Sequence, residues 1–209
     1  MDPAFVEHHI WAQQQRGIAL PDMDPNLLAL VALTFSKDTA KAMGNVAPRA
    51  YSKLFDDALR ALVKVFLECE RTGRWPARCQ LVCIVMLPKP DGGWRPIGIF
   101  HNQIRIWFRA RSVHARRWEW AHERACLYAG HSRGAAVAAW RASFAAEAAK
   151  VDNQHVAQLL VDLVKAFEVI PHMALIRAAV KHGYSLVMLR LSLAAYRIKR
   201  IFIQGQCHI

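Results

Sequence analysis

The stretch LVCIVMLPKPDGGWRPIGIF, residues 81–100, limits the possible folds more than any other part of the chain. Two apolar runs, one rich in β-branched residues, flank Asp91-Gly92-Gly93, a turn that tolerates positive φ, and this pattern predicts a β-hairpin with strands over 80–87 and 94–100. Pro88, Pro90 and Pro96 have no N–H to give to a ladder, so the hairpin is expected at a sheet edge or projecting from one. Lys89 and Arg95 flank its tip, and two cations converging there point to an anion as their partner.

The segments around the hairpin read as helices. An Asp-Pro start opens one over 24–43. In the stretch 49–73, Leu54, Ala58/Leu59, Leu62/Val63 and Phe66 recur every three to four positions, which predicts an amphipathic helix ended by Gly73 and Pro76. Further helices are expected over 102–125, 132–150 (with a small, alanine-rich face), 171–182 and 185–197. Residues 155–162, HVAQLLVD, and 198–205, IKRIFIQG, are expected as strands. The resulting class is α+β: helix-rich, with the hairpin and a small antiparallel sheet.

Composition narrows the class of partner. The 209 residues are 54% hydrophobic and 21% charged, which is globular rather than disordered. Lys and Arg number 28 against 16 Asp and Glu, a net charge of +12, and a balance of this kind favours a polyanion, nucleic acid before membrane. Five scattered cysteines, Cys69, Cys79, Cys83, Cys126 and Cys207, form no disulfide framework or zinc spacing. They are expected to be free thiols in a reducing, intracellular compartment. The opening residues have neither the charge pattern nor the apolar core of a signal peptide, and no stretch has the length of a membrane span.

Residues 102–125 carry Arg105, Arg109, Arg111, Arg116, Arg117 and Arg124 among Trp107, Phe108, Trp118 and Trp120. Basic residues interleaved with aromatics suit a surface that tracks a single-stranded backbone while bases stack. The same pattern also fits a helix whose aromatics are core and whose arginines are solvated. Arg105, Arg109, Arg116 and Arg117 are the candidate nucleic-acid contacts.

Along 155–162, alternation puts Ala157, Leu159 and Val161 on one face and Gln158, Leu160 and Asp162 on the other. The first set can pack on helices, which leaves Asp162 for a cleft. A carboxylate there needs a cation, for which a divalent metal would serve. Alternatively, Asp162 caps the following helix.

Two stretches together resemble a family. VDLVKAFEVIPH is similar to motif A of reverse transcriptases, and LPKPDGGWRPIGIF is similar to their fingers hairpin, in the expected order; the closest likeness is to the non-LTR retrotransposon and group II intron type. RTGRWPARCQ and HSRGAAVAAWRASFAAE fit the same layout more loosely, and the resemblance spans about residues 48–205. It implies a right-hand polymerase's fingers and partial palm: an N-terminal helical extension over 1–47, a fingers-like region over 48–150, and the start of a palm over 151–209. The implied activity is template-directed DNA synthesis from dNTPs on an RNA template and DNA primer, by nucleotidyl transfer through two Mg²⁺ ions. Asp162 would bind the metals with the Leu163 carbonyl, Phe167 would pack under the incoming sugar, and Lys89 and Arg95 would hold the triphosphate.

The sequence departs from the family at one place. The family completes its metal site with an aspartate pair after motif A, whereas Glu168 is the only acidic residue here after Asp162. The expectation is therefore a truncated or degenerate element, inactive in isolation, with a non-catalytic nucleic-acid-binding protein as the alternative.

Overall fold

A computed structural model describes residues 11, 20–42, 44–128, 134–159, 161 and 169–202. Helix α1 (Pro25–Leu33) starts where the Asp24 carboxylate accepts from the Asn26 N–H at 2.9 Å, with Pro25 in the first turn. A 3₁₀ turn (Pro48–Lys53) leads to α2 (Asp56–Thr72). Asp56 and Asp57 favour its N-terminus, and Gly73, at φ 68°, ends it in the left-handed region. A Cβ there would fall 2.0 Å from Arg190 Nε and push aside the guanidinium whose Nη2 donates to the Thr72 carbonyl at 2.6 Å.

The hairpin follows as β1 (Leu81–Pro88) and β2 (Trp94–Ile99). Then come α3 (Asn102–Ala121), α4 (Ala135–Val151), α5 (His172–Lys181), α6 (Leu186–Tyr196) and β3 (Lys199–Phe202). β1 is central, antiparallel to β2 and parallel to β3. The sheet is therefore mixed, not antiparallel as expected: the chain crosses over through the helices and β3 re-enters in the direction of β1. Pro96 lies on the edge strand β2, as its missing N–H requires.

One core joins α1, α2, β1, α3 and α6. It includes Leu28, Phe35, Leu62, Phe66, Trp75, Val82, Ile104, Trp107 and Leu191. Trp75 packs edge-on against Trp107 and donates to the Leu191 carbonyl at 3.0 Å, tying the turn after α2 to α6. Among the described residues, no helix is long and apolar enough to cross a membrane.

Three expected elements differ. α1 stops at Leu33 instead of continuing to 43, because Phe35 turns into the core and Arg49 Nη1 donates to the Leu33 and Phe35 carbonyls at 2.6 and 3.1 Å. The second helix starts at Asp56, since Leu54 and Phe55 are extended; its buried stripe is Leu59, Leu62/Val63, Phe66 and Cys69, without Leu54 or Ala58. Residues 154–159 form no strand, and Leu159 and Val161 are 85% and 71% exposed rather than packed on helices. A strand persists only by pairing, and no described strand lies beside this segment.

Candidate nucleic-acid interface

The tip of the hairpin is built by its glycines. Gly92 and Gly93 have φ of 86° and 83°, with nothing within 4 Å of a Cβ added at either, so conformation rather than crowding requires glycine. The Lys89 N–H donates to the Gly93 carbonyl at 3.1 Å, and the Gly92 N–H to the Lys89 carbonyl at 3.2 Å. The register sets Arg95 on the face of Leu87, and Lys89 follows Pro88, the last residue of β1, so both cations stand at the tip end of the hairpin. Both are exposed, and among the described residues neither side chain has an acidic partner. Trp94, opposite Pro88, stands 61% exposed on the other side; sequence reading missed it as a candidate stacking surface, although its place beside Arg95 was visible.

The arginines of α3 divide into two groups. Arg111 is buried, with Nε and Nη2 on the two Glu70 oxygens at 2.7 and 2.8 Å and Nη1 on the Pro21 carbonyl at 2.8 Å. Trp107 Nε1 donates to the same Glu70 carboxylate at 2.8 Å. Arg105 Nη1 donates to the Ala40 carbonyl at 2.7 Å and to Asn102 Oδ1 at 3.1 Å. Arg109 Nη1 donates to Thr34 Oγ1 at 3.0 Å, and its guanidinium lies 3.7 Å over the Phe35 ring. These three clamp the segments on either side of α1 onto α3. Arg109 stays exposed while making these contacts, and Arg116 and Arg117 are exposed too, beside the exposed Trp120. Of the other aromatics, Trp107 is core, Phe108 packs edge-on against it, and Trp118 donates to the His182 carbonyl at 2.7 Å while stacking on His122.

Arg117 also lines a cleft of about 910 Å³ with Arg71, His114, Trp118, Tyr184 and Arg190. Burial, then Arg111 and Arg117, holds His114 below the usual histidine range, although Glu70 pulls the other way. The cleft is assembled from residues far apart in sequence, so no local motif could have revealed it.

Cys69, Cys79 and Cys83 are buried, and Cys126 is exposed. Cys79 is fully buried, donates to Gln103 Oε1 at 3.0 Å and lies 3.4 Å from His101 Nδ1, an arrangement that resembles a nucleophile beside its base. Burial instead pushes its thiol up to about 11, which keeps it protonated. None of the four described cysteines is in a disulfide.

Asp162, Leu163 and Phe167 lie outside the described residues. Among the described residues, no three His, Cys, Asp or Glu side chains come together as metal ligands. Compared with known proteins, the chain matches no family model and no curated protein.

Proposed function

We propose that the chain is a reverse-transcriptase-like element that binds single-stranded RNA or DNA together with a nucleoside triphosphate. The hairpin would be the fingers, Lys89 and Arg95 its triphosphate grip, and Arg116 and Arg117 its contacts to a nucleic-acid backbone. Asp162 and the Leu163 carbonyl would hold Mg²⁺, and Phe167 would pack under the sugar, as in the resembling family. The supporting observation is the hairpin tip: two exposed cations flank a glycine turn, and neither has a salt-bridge partner among the described residues. Two cations at one hairpin tip favour an anion, and a polyphosphate would supply one.

Polymerisation by the 209-residue chain itself is not expected. Two Mg²⁺ ions need several bridging carboxylates, and after Asp162 the sequence offers Glu168 alone. The test is titration of a dNTP, with and without Mg²⁺, into wild type, Arg95→Ala and Asp162→Ala. Loss of one charge-assisted contact predicts about tenfold weaker binding for Arg95→Ala and a smaller change for Asp162→Ala. If Arg95→Ala binds like wild type, the triphosphate grip is wrong. Template-dependent synthesis abolished by Asp162→Asn would overturn the expected inactivity. The second reading, a non-catalytic nucleic-acid binder, rests on the exposed Arg116 and Arg117 in a +12 chain. Salt-sensitive RNA binding combined with indifference to dNTP and Mg²⁺ would favour it.

A further inference from the structure

The cleft of about 910 Å³ is formed where α2 and α3 meet the end of α5 and the start of α6. A concave site of that size is in the range that takes small organic ligands. Trp118, Tyr184 and Leu186 give it an apolar wall. The two rings hold each other in place: Trp118 Nε1 donates to the His182 carbonyl at 2.7 Å, and the Tyr184 ring packs edge-on against Trp118 at 5.1 Å.

The charge of the cleft is one-sided. Among the described residues Glu70 is the one acid that lines it, and Arg111 takes both oxygens of that carboxylate. Arg71 is matched by Glu68 through two bonds, at 2.6 and 2.7 Å. Arg117 and Arg190 are left, and neither has a salt-bridge partner among the described residues. Burial, then Arg74, holds Arg190 below the usual arginine range. His114, in the same cleft, is lowered in the same way, as described above. Basic groups that oppose one another in a partly enclosed site favour an anion between them and solvent.

We propose that this cleft binds a small organic anion, its apolar body against Trp118, Tyr184 and Leu186 and its acidic group offset by Arg117 and Arg190. The apolar wall alone would accept neutral compounds, and the arginines alone would accept inorganic anions. Joined in one cleft, they select a molecule that carries both features. The site goes beyond the nucleic-acid reading: Arg116 and Trp120, exposed on the same helix, do not line it, and Arg117 is the arginine that the two sites share.

The test titrates anilinonaphthalene sulfonate, an apolar ring system with one sulfonate, into the full 209-residue chain, with uncharged phenylnaphthylamine as its counterpart. No nucleic acid is present, so the outcome bears on the cleft and leaves the nucleic-acid reading untouched. Saturable one-to-one binding with blue-shifted emission is expected. Arg117→Glu weakens binding of the sulfonate by about tenfold and leaves the uncharged compound within about twofold of wild type. Val180→Trp, which fills the cleft from an exposed position, weakens both by about tenfold or more. Arg60→Glu makes the same change of charge at an exposed site about 15 Å along α2 from Glu70, and leaves both compounds unaffected. The absence of saturable binding, wild-type sulfonate binding by Arg117→Glu or by Val180→Trp, or an equal loss in Arg60→Glu each overturns the proposal.

Discussion

From Asn102 to Arg111, α3 carries three arginines beside Trp107 and Phe108, and from Ser112 to Ala121 it carries two beside Trp118 and Trp120. The first half spends its guanidinium groups on Glu70, Pro21, Ala40, Asn102, Thr34 and the Phe35 ring. The second half presents Arg116 and Arg117 to solvent. A basic-aromatic pattern therefore does not by itself mark a nucleic-acid surface. What separates the halves is whether an acid or a row of carbonyls lies within reach in the folded chain. We assign Arg105, Arg109 and Arg111, which bind within the fold, to stability, and Arg116 and Arg117 to an anion, as a proposal that the following outcomes can break.

The largest expected effect is at Arg111. Arg111→Ala leaves the Glu70 carboxylate buried without its cation, for which about 3–5 kcal/mol of destabilisation is expected in chemical denaturation. Arg109→Ala comes next: losing its cover of Phe35 and its bond to Thr34 is expected to cost about 1 kcal/mol, with the fold retained. If Arg111→Ala unfolds at the wild-type midpoint, the buried clamp is misjudged.

A smaller effect follows from pH. His101 Nδ1 accepts from the Gln103 N–H at 3.3 Å and so caps α3, and burial, then Arg78, holds this imidazole below the ordinary 6.5. His114 is lowered likewise, by burial first and then by Arg111 and Arg117. Folded values below unfolded ones mean that the stability is fully present above about pH 6.5 and lost as pH falls through the folded values. The melting temperature is expected to drop on acidification from pH 7 to 5, less steeply in Arg117→Ala, where one cause of the His114 shift is gone. A melting temperature that rises over that interval contradicts both assignments.

How much of this was visible in the sequence depended on range. The hairpin and α2 were legible because a glycine turn and a three-to-four repeat are local signals, and Lys89 and Arg95 came with the turn. The end of α1 was not, because it depends on Arg49, 16 residues from Leu33. The expected strand at 155–162 failed in its described part for want of a neighbour, which no alternation of side chains can reveal. Arg111 could have been read: Ile104, Trp107 and Arg111 are spaced three and four apart, which places this arginine on the buried stripe. Its partner Glu70, 41 residues away, could not.

The most direct test compares the salt dependence of single-stranded RNA binding by wild type, Arg116→Ala/Arg117→Ala and Arg105→Ala/Arg109→Ala. Each neutralised phosphate contributes about −0.7 to the log–log slope on a single strand. Removing the two exposed arginines is expected to flatten the slope by about 1.4 while leaving stability within about 0.5 kcal/mol. Removing the two bound arginines is expected to lower stability and leave the slope of the folded protein unchanged. The opposite pattern, a slope that responds to Arg105 and Arg109 but not to Arg116 and Arg117, would contradict the division of α3 on which this account rests.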